Sequence, residues 1–440
     1  MPDNVGSELH EPTSLEGIAL TASLNKEHRF QNLYGELTPE RLLSAWMCIN
    51  KDAASGVDKV TVEEYQDNLV SNLDNLAQRL KEKTYKAKLV RRVYIPKDNG
   101  KERPLGIPAL EDKIVQRAVT MLLNAIYEQD FLHVSYGYRV GKSANDAVGD
   151  LTFQVQYGKF GYLVEADIQG FFDNLDHDWL LKMLALRIDD KALLNLIHKW
   201  LKAGILESGG SIQYPETGTP QGGIVSPVLA NVYLHYVLDL WFERVVKPLC
   251  KGEAIMCRYA DDWVCAFRYQ SDAERFYTVL PKRLGKFGLH VEPSKTQILR
   301  FSRFHPGMER RFSFLGFEFF WGLDRKGTPR VMRRTARKKL RGALKRMKNW
   351  IRLNRHMPTR WFFKMLNAKL RGHYQYYGVR GNSRSLWIFY EEVMKMVHKW
   401  LNRRSQRKSH TWEAFRRLLS RINLVKPRIT ESKRLHQVAC

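Results

Sequence analysis

The pattern of apolar and polar positions predicts two kinds of structure along the chain. In the first three quarters, apolar runs of strand length alternate with stretches of helical spacing. The predicted strands cover residues 90–96, 162–168, 254–258 and 263–268, and the predicted helices cover 15–29, 39–49, 62–81, 112–127, 178–203 and a segment from about 227. After about residue 325 only helical spacing remains, as at Leu340, Leu344, Met347 and Ile351. We therefore predict an α+β fold followed by a region of helices without strands.

Charge divides the chain at the same place. The 440 residues carry 72 Lys and Arg against 46 Asp and Glu, a formal net charge of +26. Residues 325–440 hold 33 of these cations and 4 acids, and residues 325–390 hold 20 cations and no acid. An excess this large favours a polyanionic partner, either nucleic acid or an acidic membrane surface. Trp350, Trp361 and Trp387 lie among the cations, and aromatic rings that stack on bases favour RNA over a plain solvated face.

Other features of the composition disfavour several classes of protein. The cysteines lack the close spacing of a zinc finger and do not resemble a disulfide framework, which fits a reducing cytosol. The first residues have neither a basic leader nor an apolar core, so we expect no signal peptide. No run of about eighteen apolar residues is present, so we expect no membrane span and a location in the bacterial cytoplasm or nucleoid.

Three aspartates are candidate metal ligands. Asp167 follows a short apolar run, and Asp261 and Asp262 lie at the tip of a predicted β-hairpin. Carboxylates at the ends of neighbouring strands repel one another unless a cation lies between them, and Mg2+ suits such ligands. Two such ions about 3.5–4 Å apart activate an attacking 3′-oxygen and stabilise a leaving pyrophosphate. An Asp-Asp pair alone more often marks a turn or a solvated face, so the hypothesis depends on the surrounding motifs.

Those motifs occur in the order that is typical of a reverse transcriptase. Residues 259–262 (YADD) resemble the hairpin signature of that family, and residues 167–173 (DIQGFFD) resemble its first catalytic-aspartate motif. Residues 218–231 resemble the loop that contacts template and nucleotide. Further blocks that resemble parts of the fingers and of the palm lie at 94–108, 288–296 and 314–317.

Additional blocks resemble one branch of the family, the reverse transcriptases and maturases encoded by group II introns. They are the N-terminal block 50–58, the block 131–139 with its SYGYR motif, and the block 370–377, which resembles the maturase or thumb domain. The resemblance implies an RNA-directed DNA polymerase, a nucleotidyltransferase, that also binds its intron RNA as a splicing maturase and supports retrohoming. Its partners would be the intron RNA, an RNA template with a DNA primer or target DNA, and dNTPs.

The same resemblance assigns the metal and RNA contacts. Asp167, Asp261 and Asp262, with the backbone at Ile168, would hold two Mg2+ ions. The basic region would grip the duplex through its phosphates, irrespective of sequence. The expected template and RNA contacts are Arg333, Arg334, Arg337, Lys338, Arg341, Lys345 and Arg371.

The nucleotide contacts also follow from the resemblance. Lys97 and Arg103 would neutralise the triphosphate, and Gln221 would line the incoming nucleotide. Phe171 would pack under the sugar and exclude a 2′-hydroxyl, which favours dNTP over NTP. Phe172 is the competing choice because the register is ambiguous by one residue, and either ring could instead belong to the core.

The expected architecture is a right-hand polymerase, with fingers and a palm whose antiparallel sheet packs on helices, followed by an all-helical basic thumb. The expected domains are a lead-in at 1–37, the N-terminal block and fingers at 38–150, the palm at 151–324, the thumb or maturase domain at 325–404 and a short basic segment at 405–440. That last segment has no paired metal-ligand spacing, so we expect no endonuclease in it, and its basic residues would suit a short DNA-binding remnant.

Two other functions stay open at this point. A polymerase of the same type could serve host defence or another non-mobile role, although the intron-type blocks 50–58 and 370–377 disfavour this. A maturase with a decayed polymerase would bind RNA only, and the intact Asp167, Asp261 and Asp262 disfavour that reading. The sequence does not indicate the oligomeric state.

Overall fold

The computed structural model describes residues 14–96, 102–219, 221–307, 309–324, 326–404 and 411–431. Its helices are α1 (Leu15–Leu24), α2 (Pro39–Cys48), α3 (Val62–Gln66), α4 (Leu69–Lys81), α5 (Leu110–Tyr127), α6 (Ala144–Tyr157), α7 (His177–Ala185), α8 (Lys191–Leu201), α9 (Ser226–Leu234), α10 (Lys247–Leu249), α11 (Gln270–Gly285), α12 (Arg337–Asn354), α13 (Thr359–Tyr377), α14 (Ser383–Leu401) and α15 (Trp412–Arg421). Its strands are β1 (Val90–Pro96), β2 (Glu102–Ile107), β3 (Tyr162–Asp167), β4 (Ile205–Leu206), β5 (Ile212–Gln213), β6 (Ala254–Tyr259), β7 (Asp262–Phe267), β8 (Gln297–Arg300), β9 (Arg311–Phe314), β10 (Phe317–Leu323) and β11 (Pro329–Thr335). The mixture of helices with largely antiparallel sheets confirms the predicted α+β class.

Three predicted helices are shortened or divided, and side-chain capping explains one of these corrections. The helix predicted at 15–29 ends at Leu24 because Asn25 adopts an extended conformation. The helix predicted at 62–81 is divided into α3 and α4 because Asn68, with φ -126° and ψ 41°, leaves the helical conformation. The helix predicted at 178–203 is divided into α7 and α8, because Asp190 accepts hydrogen bonds from the first amides of α8. A side chain that caps a helix fixes where it begins, whatever the apolar spacing on either side.

A central four-stranded sheet, with strand order β6-β7-β3-β8, carries the predicted acids. All of its pairings are antiparallel. Both faces of β3 are covered: Val164 and Ala166 lie in the largest apolar core, whereas Leu163 lies in a second core with Val148 of α6. This double burial explains why the strand is a continuous apolar run in the sequence.

Strands continue further along the chain than the sequence predicts. β11 lies beyond residue 325 and pairs with β10, which pairs with β9. The prediction of helices without strands from residue 325 is therefore wrong for residues 329–335. Every second residue of β11 is buried, namely Val331, Arg333 and Thr335, as expected for a strand with one buried face. The sequence does not show this alternation in apolar residues, because one of the buried positions is an arginine.

The C-terminal helical region, α12 to α15, has an apolar core of its own. Its buried side chains include Ile351, Phe362, Leu366, Leu370, Leu386, Phe389, Val393 and Phe415. The cations of these helices lie mainly on the outer faces, which is the amphipathic pattern of a surface helix. Among the described residues, no helix is both long and apolar enough to span a membrane.

A first sheet, with strand order β2-β1-β4-β5, lies on the N-terminal side of the chain. Its strands β1 and β2 form an antiparallel hairpin that pairs Ile95 with Arg103. The tip of the hairpin, including Lys97, lies outside the described residues. The Gly218–Gly223 loop docks on β2, as described below, so this sheet lies beside the predicted site.

Candidate active site

Two of the predicted acids lie side by side on adjacent strands of the central sheet. Asp167 is the last residue of β3 and Asp262 is the first of β7, and the two are register partners. Directly opposed residues of an antiparallel pair project from the same face with Cβ atoms about 4.5–5.5 Å apart. Asp261 immediately precedes Asp262 in the turn between β6 and β7. The structure therefore brings the three sequence-predicted acids together at one edge of the sheet.

The turn that carries Asp261 is tight and left-handed. Tyr259 pairs with Asp262, which leaves Ala260 and Asp261 as a two-residue hairpin loop. Ala260 has φ +55°, a conformation that costs an L-residue roughly 1–2 kcal/mol. Gly137 packs against this turn so closely that a Cβ on it would lie 2.3 Å from the Ala260 nitrogen. Only glycine fits at position 137, which explains the glycine of the SYGYR motif in physical terms.

The surroundings disfavour negative charge on these acids. Burial raises the pKa of Asp262 to about 7, and the neighbouring charges of Asp261 and Asp167 add to the shift. Burial also raises the pKa of Asp261, with a further contribution from Asp167. Lys295 lies in a short turn after α11, and its ammonium contacts the Asp167 carboxylate. Carboxylates that repel one another in a partly dry site are a favourable environment for a bound cation.

The donor set fits a hard divalent cation. Carboxylate oxygens with a backbone carbonyl such as that of Ile168 are the ligand types that Mg2+ prefers. In the structure as it stands, Asp167 contacts Lys295, and the Leu315 backbone lowers the pKa of Asp262 against the larger effect of burial. Across the described residues, no group of three or more His, Cys, Asp or Glu side chains is already arranged around a common metal position. These carboxylates would therefore have to exchange protein partners for the metal.

Two of the predicted nucleotide contacts lie on β2 and on the loop that docks on it. Arg103 of β2 is exposed, and its charge lowers the pKa of Asp261 against the larger effect of burial. The Gln221 carbonyl accepts a hydrogen bond from the Gly106 amide at 2.5 Å, which docks the loop on β2. Gly222 has φ +111° and lies so near Gly106 that no side chain would fit. The structure therefore places Gln221 beside β2, the strand that carries Arg103, and Lys97 lies outside the described residues.

The two phenylalanines of the first motif differ in burial. Phe171 is 2% exposed and belongs to the largest core, whereas Phe172 is only partly buried. The rings meet edge to face with centroids 5.3 Å apart. The Phe172 carbonyl accepts a hydrogen bond from the Thr219 amide at 2.7 Å, next to the loop that resembles the nucleotide site. Burial thus argues against the choice of Phe171 as the sugar contact and favours Phe172.

Side chains that the sequence analysis does not single out anchor the Gly218–Gly223 loop. The buried His177 ring bonds to the Gly218 carbonyl at 2.6 Å, and the Gln116 side chain accepts from the Ile224 amide at 2.9 Å. The Thr219 and Ser226 hydroxyls bond to each other at 2.7 Å. Gln116 occupies the buried face of α5, and a polar residue at an otherwise apolar helical position was the one signal available.

The predicted RNA contacts divide into two groups. Five of the seven, Arg337, Lys338, Arg341, Lys345 and Arg371, are exposed on α12 and α13. Arg333 is 6% exposed and forms a bidentate ion pair with Glu431, at 2.8 and 3.0 Å. This burial contradicts its assignment to RNA. Arg334 is partly exposed and is held by Glu318, with a shortest distance of 2.7 Å.

Comparison with known proteins identifies the class. The sequence profile of the reverse transcriptase (RNA-dependent DNA polymerase) family matches residues 95–319, about half of the chain. That span contains all three acids, Arg103, both phenylalanines and the Gly218–Gly223 loop. The chain belongs to the reverse transcriptase family, whose polymerases use divalent metal ions.

Individual relatives confirm the resemblance to the group II intron branch. The group II intron-encoded protein LtrA of Lactococcus lactis is 41% identical over 237 residues, which are 51% of this chain and 38% of LtrA. The protein YkfC of Escherichia coli is 32% identical over 361 residues, which are 74% of this chain and 92% of YkfC. The mitochondrial nuclear intron maturase 4 of Arabidopsis thaliana is 24% identical over 202 residues, 44% of this chain and 23% of the maturase. The match therefore spans well under half the length of LtrA.

Proposed function

We propose that this chain is an RNA-directed DNA polymerase that extends a DNA primer along an RNA template. The observation that carries the proposal is the register of Asp167 opposite Asp262, with Asp261 beside them in the turn. The membership of the reverse transcriptase family supports it independently. The substrates would be dNTPs and an RNA template paired with a DNA primer or with target DNA.

Asp167, Asp261 and Asp262, with the Ile168 carbonyl, would hold two Mg2+ ions. When bound at such carboxylates, Mg2+ supplies activation of the primer 3′-oxygen and charge stabilisation of the leaving pyrophosphate. The raised pKa values of Asp261 and Asp262 support this assignment, because a cation would offset both the burial and the mutual repulsion that raise them. Lys295 would have to leave Asp167 as the metal binds, which frees its ammonium for a phosphate.

The remaining site residues would orient the nucleotide. Arg103, with Lys97 on the same hairpin, would contact the triphosphate, since the charge of Arg103 already acts on Asp261. Gln221 and the backbone beside it would line the nucleotide, supported by the docking of the loop on Gly106. We assign the exclusion of the 2′-hydroxyl to Phe172, because Phe171 is enclosed in the core.

The architecture would be that of a right-hand polymerase. The first sheet would belong to the fingers, the central sheet to the palm, and the C-terminal helical region to the thumb or maturase domain. We place the start of that helical domain at Arg337, since β11 pairs with β10 up to Thr335. A DNA-binding role for the final basic residues, of which the structure describes 411–431, remains a proposal.

The helical region would bind RNA through its phosphates. The exposed cations of α12 and α13 form a surface without a neighbouring excess of acids. We further propose that this surface, with the N-terminal block, binds the parent group II intron RNA and assists its splicing and retrohoming. The relatives that are named as intron-encoded protein and intron maturase support this part of the proposal.

Primer extension tests the polymerase directly. The purified chain, an RNA template annealed to a DNA primer, Mg2+ and dNTPs should give cDNA, and D261N/D262N should give none while binding RNA with wild-type affinity. A splicing assay with the flanking intron RNA, run beside it, should show assistance by both proteins. No extension by the wild type, or extension by the double variant, would overturn the proposed polymerase site.

A further inference from the structure

Arg258, the residue before Tyr259 in β6, carries a charge in the interior of the protein. Its side chain is fully buried. A buried guanidinium is costly unless every donor finds an acceptor. All five of its N–H groups do so: Nε donates to Asp239 Oδ1 at 2.7 Å, Nη1 to Asn231 Oδ1 at 3.1 Å and to the Ala260 carbonyl at 3.0 Å, and Nη2 to Asp239 Oδ2 at 2.5 Å and to Ser135 Oγ at 2.7 Å.

These partners come from three separate parts of the chain. Ser135 belongs to the SYGYR motif, Asn231 to α9, and Ala260 is the left-handed residue of the turn that carries Asp261. Backbone bonds reinforce the same junction, because Arg258 donates to the Val134 carbonyl and accepts from the Tyr136 amide, at 2.8 and 2.9 Å. The Arg258 cluster, which comprises Ser135, Asn231, Asp239, Arg258 and Ala260, therefore lies directly beneath the acidic turn.

The helix that follows the Gly218–Gly223 loop carries two of these partners, Asn231 and Asp239, on one face. After α9 the helix continues through a π-helical segment at His235–Asp239, which ends at the partner of Arg258. An α-helical turn takes about 3.6 residues and a π turn about one more, so one turn of each takes about eight residues. Asn231 and Asp239 are eight residues apart and so return to the same face. In a regular α-helix they would diverge by about 80°.

We propose that Arg258 is a positioning residue of the polymerase site and that it fixes the direction of Asp261 by holding the Ala260 carbonyl. This inference rests on the proposed function. The strained turn has no glycine at position 260, and the bond from Nη1 offsets part of that cost. The rigid five-donor fork of arginine is needed, because the ammonium of a lysine could not meet four partners in these directions.

The test must separate positioning from simple stability. Removing one member of the pair leaves an uncompensated buried charge, whereas replacing both by apolar residues of similar volume is often neutral for stability. The variant is therefore R258M/D239L. The matched control is R187M/D130L, which removes a second buried pair, joined at 2.9 Å, whose arginine bonds to carbonyls at the end of α1 and to none in the hairpin.

We expect R258M/D239L to lose at least about tenfold in kcat for primer extension, with RNA affinity and KM for dNTP within about twofold of wild type. The Mg2+ concentration that gives half the maximal rate should rise. The control variant should keep wild-type kcat whatever its melting temperature. Equal kcat in R258M/D239L and wild type, or an equal loss in the control, would overturn the proposal.

Two further measurements cover the remaining outcomes. If R258M/D239L does not fold, the kcat of S135A tests the proposal, because this variant removes one acceptor of the cluster without leaving an unpaired charge. A lower kcat at an unchanged melting temperature supports the proposal, and an unchanged kcat refutes it.

If the wild type does not extend a primer, the proposed function fails by itself. Mn2+ binding, measured by electron paramagnetic resonance, then tests the positioning role. Weaker Mn2+ binding to R258M/D239L than to the wild type supports this role, and equal binding refutes it.

Discussion

The acidic hairpin and the C-terminal helical region use charge in opposite ways. Beneath the hairpin, one charged pair is fully enclosed, since the side chains of Arg258 and Asp239 are both fully buried. In the helical region the core is apolar and the cations of α12 lie outside. Reaction chemistry needs a few groups at fixed distances, and a grip on a polyanion needs many groups at no particular distance. The two regions should therefore respond to mutation in different ways.

The largest effect should come from the acid on β3. D167N should reduce kcat for primer extension by about 10³ while RNA affinity stays at the wild-type value, because the change removes a proposed metal ligand and none of the proposed RNA contacts. Steady-state extension and filter binding measure the two quantities. E165Q is the matched control: Glu165 lies two residues earlier on the same strand and is held by Gln297, so its kcat should stay within about threefold. Similar losses in both variants would contradict the assignment.

A smaller but still large effect should come from the exposed face of α12. R337Q/K338Q/R341Q/K345Q should weaken RNA binding by about 10² at low salt and reduce the magnitude of the slope of log affinity against log salt by about three, since about four phosphate contacts are lost. Titrations at several salt concentrations measure both quantities. K282Q/K286Q, on exposed residues at the C-terminal end of α11, removes two cations elsewhere and shows how much the loss of net charge alone weakens binding. An unchanged slope in the quadruple variant would disprove the phosphate contacts.

Sugar selectivity should change by about tenfold. F172A should raise the incorporation of NTP relative to dNTP by about that factor, because Phe172 is the partly exposed ring beside the loop. F171L should lower the melting temperature and leave selectivity unchanged, because Phe171 is enclosed in the core. Competition between labelled dNTP and NTP on one primer measures the ratio. Relaxed selectivity in F171L alone would reverse the assignment.

The smallest effect on binding should distinguish two arginines that are four residues apart. R333Q should lower the free energy of unfolding by about 2 kcal/mol and hardly change RNA affinity, because it breaks a buried bond to Glu431. R337Q should weaken RNA binding about threefold and leave stability unchanged. Denaturant unfolding and RNA titration of both variants give the comparison. A loss of RNA affinity in R333Q larger than in R337Q would place Arg333 among the RNA contacts.

The sequence predicted what depends on order and composition. The three acids could be recognised because each follows an apolar strand within an ordered set of motifs, and the cationic region because acids are almost absent from it. The sequence could not predict which cations are available to bind RNA and which form ion pairs within the protein. Arg333, for example, pairs with Glu431, which lies 98 residues away. The π turn that brings Asp239 to Arg258 also has no signature in the apolar pattern. The only indication of this ion pair in the sequence is that both charged residues lie in otherwise apolar segments.

The most direct test of the central claim is to map the divalent ion on the chain. With Fe2+ in place of Mg2+ and ascorbate present, hydroxyl radicals cleave the backbone next to the bound ion. We predict cuts near residue 167 and near residues 261–262, suppressed by excess Mg2+ and absent from D261N/D262N. Cuts confined to other segments, or the same cuts in the double variant, would contradict the claim that these carboxylates form the metal site.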